Sequence, residues 1–317
     1  MTDETRWEAP EAQAASSGTS YGSPERPLPL RQMGIGELID AAIKLYRRDF
    51  LALIGIVAFL VVPVSFLELW LTQSTLGPMA AGVTPTDAEV IRSLGPIGII
   101  FAIELLIVQP FLAAAITRAA ADAYLGERVE IGRTYRFALS RLLAILWITI
   151  LSTVVVILGF VLALVVVVIG AALAGTVDVV GIIVLVLGII LFAIPIVILI
   201  RLTLTAPVLV VEDVRGTRAL GRSWRLTKGK FWRLLGVLIL ASLIGGIASL
   251  VITIPTQAIV AAIGPEAWPV AAIGTALASV LVTPFTVLIV VLLYFDLRIR
   301  KEGYDIEVMA QELGPSS

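Results

Sequence analysis

The sequence predicts an all-α chain that crosses a lipid bilayer six times and carries three amphipathic helices along one face of the membrane. Three observations point there. Hydrophobic residues make up 59% of the 317 and charged residues only 15%, with a mean hydropathy of +1.02, where a soluble domain is roughly half apolar. Apolar stretches of about 20 residues, the length that crosses a hydrocarbon core of roughly 30 Å, recur along the chain. Of the 23 Lys and Arg, all but Arg92 fall at alternate connections. By the positive-inside rule, this places both termini in the cytoplasm.

Residues 1–31 hold Ala, Ser, Gly, Glu and Pro without apolar periodicity and read as a disordered cytoplasmic tail, with no signal-peptide core. A six-span membrane domain, 32–303, follows. Within 34–48, Ile35, Leu38, Ile39, Ala42 and Leu45 recur at helical spacing opposite Glu37, Asp40, Lys44, Arg47 and Arg48. That pattern predicts an interfacial helix. It leads into span one, about 50–71, with Trp70 as an interface anchor. A loop is expected over 72–95. Span two, about 96–119, is followed by a second charged amphipathic segment at 126–141 and by span three, about 142–170. These 29 residues reach about 43 Å at 1.5 Å per residue. Span four, about 180–200, retains its apolar character as far as Val211.

The stretch 215–236 reads as one basic helix, with Arg218, Arg222, Arg225 and Arg233 on one face and Leu220, Trp224, Phe231 and Leu235 on the other. It runs without a proline into span five, about 234–254. A loop containing Pro255, Gly264, Pro265 and Pro269 precedes span six, about 270–294, and residues 304–317 form a polar cytoplasmic tail.

The chain then divides into three similar units, each an amphipathic helix, an outgoing span and a returning span. The returning spans share a proline, Pro110, Pro195 and Pro284, each a candidate helix kink. The alternative is that any six-span protein obeying the positive-inside rule looks threefold.

Glu104 is the sharpest candidate site residue, because a carboxylate inside a span costs a few kcal/mol unless paired, hydrated or protonated. One reading is a proton or cation site lining a cavity; the other is a hydrogen-bonded Glu that pins two helices. Gln109, five residues on and about 140° around an α-helix, is not clearly on the same face, and is counted with Glu104 as a candidate intramembrane polar site. Glu68 is expected to snorkel outward. Arg47, Arg48, Arg201, Arg218, Arg222, Arg225, Arg233, Arg298 and Arg300 form a basic collar suited to anionic lipid or a protein partner. Small residues at Ala241, Gly245 and Ser249, and at Gly274 and Ala278, permit close helix packing.

The chain has no His and no Cys, which removes serine-histidine hydrolysis, His-ligated zinc, thiolate chemistry and disulfides. Nucleotide-binding and nucleophile-elbow patterns are absent. No cofactor, metal or nucleic-acid partner is expected.

The segments Leu45 to Phe50, Arg222 to Leu226 with Gly229, Phe231, Trp232 and Arg233, and Tyr294 to Arg300 before Glu302 and Gly303 resemble a bacterial membrane-domain family. Its members stand alone in actinobacteria and are similar to the membrane domain fused to some glycerophosphodiester phosphodiesterases. The resemblance implies a multi-span inner-membrane domain without an assigned activity. The soluble phosphodiesterase barrel is not in this chain, so that activity does not carry over. The expected role is a non-catalytic scaffold or accessory subunit in envelope or lipid metabolism; the alternative is a small transporter or lipid-handling protein that uses Glu104.

Overall fold

The structure, a computed structural model, describes residues 31–80, 87–124, 126–175, 178–214 and 216–303. Both predicted tails lie outside the described residues, apart from Arg31. The described residues are helical throughout, without a strand. Six helical segments are long and apolar enough to cross a membrane: Phe50–Ser74, Gly95–Tyr124, Leu142–Ala174, Val179–Val211, Phe231–Ile263 and Trp268–Glu302. The chain is therefore a multi-pass membrane protein.

Each segment outruns its predicted span. A hydropathy boundary marks where lipid gives way to water, whereas a helix ends only where its backbone hydrogen bonding stops. Two expected loops shrink for this reason. Helix α2 (Phe50–Ala80) and helix α3 (Asp87–Ile103) take up most of the stretch 72–95, and Pro255 lies inside helix α11 (Phe231–Ile263).

Three short helices, α1 (Ile35–Arg48), α5 (Ile131–Ser140) and α10 (Thr217–Thr227), precede the outgoing spans α2, α6 (Leu142–Ala174) and α11. Helix α1 buries Leu38, Ile39, Ala41, Ala42 and Leu45 and exposes Glu37, Asp40, Lys44 and Arg47. The continuous helix expected over 215–236 is interrupted at Lys228 to Lys230, where Gly229 takes φ 78°. A side chain there would be strained, so glycine supplies the turn. Arg233 consequently belongs to α11 and does not share a face with Arg218, Arg222 and Arg225.

The buried face of α10 also differs from the hydrophobicity pattern. It presents Ala219, Ser223, Leu226 and Thr227 inward, while Trp224 stays exposed. The returning span four explains this. It is divided into α7 (Asp178–Leu191), α8 (Ala193–Leu202) and α9 (Thr205–Val211), and carbonyls at the end of α8 need donors. Ser223 Oγ donates to the Arg201 carbonyl at 2.7 Å and Thr205 Oγ1 to that of Leu202 at 2.6 Å.

The packed core lies at the end of the molecule where the short helices gather. There the returning helices α4 (Gln109–Tyr124), α9 and α12 (Trp268–Glu302) meet, burying Phe111, Leu112, Ile116, Val208, Leu209, Leu292 and Leu293. Tyr124 stacks on Phe295 with ring centroids 4.5 Å apart. Outgoing spans flank this core. Helix α6 buries only Ile145, Ile148, Ala163 and Gly170 of its 33 residues and pairs with α7 through glycines. A Cβ on Gly170 would fall 2.3 Å from Leu185 N, and one on Gly188 2.6 Å from Val167 N. Gly245 faces Val282 and Gly274 faces Thr256 in the same manner, so both predicted small-residue stripes contribute to packing within the chain.

Candidate functional site

Three acidic residues close the returning helices, and each is held by arginine. The most enclosed is Asp296 on α12, fully buried. Its Oδ1 accepts the Met33 N–H at 2.9 Å. Arg233 of α11 approaches Oδ2 at 2.8 Å and Arg300, one turn along α12, at 2.9 Å. The same two guanidinium groups donate to the Met33 carbonyl at 2.6 and 2.7 Å. One backbone residue ahead of α1 is thus fixed at both its N–H and its C=O to the last two long helices.

At the end of α9, Glu212 accepts from Arg222 Nε at 2.7 Å and from the Tyr294 hydroxyl at 3.0 Å. Arg222 also grips Glu302 with both terminal nitrogens, at 2.5 and 2.7 Å. Its hydrogen bonds to Glu302 hold the Arg222 guanidinium well above its ordinary range, with Glu212 adding to this against the effect of burial. Lys301 Nζ caps the last carbonyls of α10, at Arg225 and Lys228. On α4, Asp122 is paired with Arg118 at 2.9 Å and with Arg133 of α5 at 3.0 Å.

This geometry divides the predicted collar. Arg222, Arg233, Arg298 and Arg300 point into acidic partners, and Arg48 bonds Asp49 and the Ala123 carbonyl. Arg201 lies over the Trp224 ring, 4.5 Å from its centroid. Arg47, Arg218 and Arg225 remain exposed, without an acidic partner among the described residues.

Deeper in the spans, residues Glu104–Val108 form a single π turn between α3 and α4. Its backbone bond runs from the Gln109 N–H to the Glu104 carbonyl. An i to i+5 turn brings the fifth residue back over the first, and Gln109 Nε2 donates to Glu104 Oε1 at 3.2 Å. The π turn thus brings together the two residues of the candidate polar site, which an α-helix would not have set clearly on one face. Pro110 supplies the physical reason, since its missing N–H and its ring disfavour ordinary α-helical bonding just before it. Glu68 of α2 is half-buried. The other two prolines behave differently. Pro195 follows a break at Phe192, while α12 passes Pro284 without interruption.

The family model DUF7847, a domain of unknown function, matches residues 33–297. The chain belongs to this family. No curated protein and no solved structure matches. The ends of the DUF7847 match, Met33 and Leu297, sit at the two places that the Asp296 centre joins, so the ion cluster closes the domain on itself. The resemblance covers Asp296 within the segment Tyr294 to Arg300, and no sequence motif singles out Asp122 or Glu212. The available signal was an acidic residue at the end of each returning span, beside Tyr124 in one and Tyr294 in another.

Proposed function

We propose that this DUF7847 protein is a non-catalytic component of the bacterial inner (plasma) membrane, with both termini cytoplasmic, serving as a scaffold or accessory subunit in envelope or lipid metabolism. The observation that carries this reading is the division of the collar. Asp296, Glu212 and Asp122 fix the platform, leaving Arg218 and Arg225 on the exposed side of α10. They flank an open cleft shared with Glu212, Val214, Gly221 and Arg222. Exposed Trp232, 78% accessible, stands nearby on the first turn of α11, and the combination suits anionic lipid or an acidic partner surface. The lack of His and Cys supports a role outside catalysis.

The relation to the membrane domain of phosphodiesterases is part of this proposal. Its motif residues fall into two sets of ion pairs, Arg233 and Arg300 on Asp296, and Arg222 and Arg298 on Glu212 and Glu302. So is the threefold arrangement, since Asp122, Glu212 and Asp296 each bind the start of, or a cation on, a short helix of the next unit, the third returning to the first.

The test is affinity capture of tagged protein from native membranes, comparing wild type with Arg218→Ala/Arg225→Ala. Arg222 and Arg233 are left intact because they hold the fold. A stoichiometric protein recovered with wild type and lost with the variant supports the reading. Equal recovery of lipid alone moves the assignment to the second reading, transport or lipid handling, which the π turn at Glu104 favours because such turns are frequent at functional sites. That reading requires flux in proteoliposomes that Glu104→Gln abolishes.

A further inference from the structure

Two interruptions in the spans face one space. The π turn of span two contributes Leu105 at its edge and is followed by Gln109 and Pro110; the break between α8 and α9 contributes Leu202, Thr203 and Thr205. Together with α6 from Ile145 to Phe160 they line a groove of about 660 Å³. The α6 wall alone extends 15 residues, about 22 Å along the helix axis. The lining is mainly aliphatic. Of its five hydroxyls, three are committed to helix carbonyls, Ser152 to Ile148 at 2.7 Å, Thr203 to Leu199 at 3.1 Å and Thr205 to Leu202 at 2.6 Å, which leaves Thr149 and Thr153 on the α6 wall. A polar solute would find few donors there, and a hydrocarbon chain needs none.

The groove is not apolar at both ends. At its collar end, Ala114 and Ile145 are followed or preceded by one helical turn to Arg118 and Arg141, and both guanidinium groups stand over the Phe137 ring, 5.4 and 5.8 Å from its centroid. Asp122 faces Arg118, Asp213 faces Arg141, and Arg133 and Glu127 lie around Asp122. Arg136, on the same short helix as Phe137, is exposed without an acidic partner among the described residues. Arg118 Nε and the Thr117 hydroxyl are buried without a hydrogen-bond partner among the described residues.

We propose that the groove between α4, α6 and α8–α9 is a lipid-binding site, which takes one acyl chain of an anionic phospholipid and places its phosphate near Arg118 and Arg141. The site goes beyond the scaffold reading and is independent of it, because it shares no residue with the Arg218 and Arg225 face. Lipid enters sideways from the bilayer, along the thinly covered face of α6.

The experiment is native mass spectrometry of the full chain in mild detergent, after exchange into mixed vesicles of phosphatidylglycerol and phosphatidylcholine with identical acyl chains. Wild type is expected to retain one phospholipid, with about a fivefold preference for phosphatidylglycerol. Ala113→Phe and Ala206→Phe fill the groove from opposite walls, at positions that line it and are not fully buried. Each is expected to cut retention about tenfold while helical circular dichroism is unchanged. Two independent plugs guard against one that simply misfolds. Absence of retained lipid on folded wild type, or unchanged retention in both folded plugs, overturns the site; equal retention of the two lipids overturns the placement of the phosphate.

Discussion

The collar end and the α6–α7 hairpin are built from the same kind of apolar helix and are held in opposite ways. At the collar, α4, α9 and α12 bury their flanks, and specific charge pairs at Asp296, Glu212 and Asp122 fix the short helices against them. In the hairpin, Leu158, Leu162, Val168, Ile183 and Ile190 face outward, and backbone-to-backbone contact at glycines joins the pair. In lipid, exposing a leucine costs nothing, so shape complementarity decides the hairpin. At the collar, acidic groups such as Asp296 and Asp122 are buried, where an unpaired charge is costly, and polar satisfaction decides.

The largest effect should come from the buried charge. Asp296→Asn keeps an acceptor for the Met33 N–H but leaves Arg233 and Arg300 without their counter-charge. We expect a loss of about 3 kcal/mol, seen as a lower thermal midpoint in detergent and faster proteolysis ahead of α1. A midpoint equal to wild type would mean that the collar is no more strongly specified than the hairpin. Next, Gly170→Val inserts a side chain where Leu185 backbone already stands. The expected cost is about 1–3 kcal/mol, with a wider separation between spin labels placed at the outward-facing positions 162 and 190. Unchanged distances would show that the hairpin is loosely joined.

Smaller still is Gln109→Leu, which removes the amide from Glu104. Hydrogen bonds between side chains in membranes average about 0.6 kcal/mol, and guanidine or SDS unfolding of the variant should register a shift of that size. A shift as large as that of Asp296→Asn would make the π turn a second structural centre.

The smallest effect concerns pH. The Gly34 N–H, and then Arg31, hold Glu37 below the usual carboxylate range. Because the folded value is the lower one, its contribution is complete above the ordinary carboxylate pKa and is lost as pH falls through the folded value. Amide exchange over Gly36 to Leu38, corrected for intrinsic rate, should therefore rise on acidification, and Glu37→Gln should remove that dependence. A rise that persists in Glu37→Gln would assign it to another group.

How much of this was legible beforehand differs by region. Leu38, Ile39, Ala42 and Leu45 announced the buried face of α1, since apolar spacing and burial coincide there. On α10 the same reasoning set Leu220 and Trp224 on one apolar face; Leu220 does pack against the core, but Trp224 is exposed and Ser223 and Thr227 point in, because carbonyls at the end of α8 attract hydroxyl donors. Glu104 and Gln109 were visible as polar residues of span two, and the hydrogen bond between them was not, because the 100° step of an α-helix does not hold across a π turn.

The amino-acid sequence by itself determined that the chain is helical, that it crosses the membrane six times and where its charges collect, because hydropathy and helix length are properties of consecutive residues. Tertiary structure alone decided which arginines of the collar stay free. Arg218 and Arg222 are one turn apart with the same charge and chemistry. Only the second meets Glu212 and Glu302, brought to it by two other helices from 10 and 80 residues away, and a charge becomes structural or available according to what the fold sets opposite it.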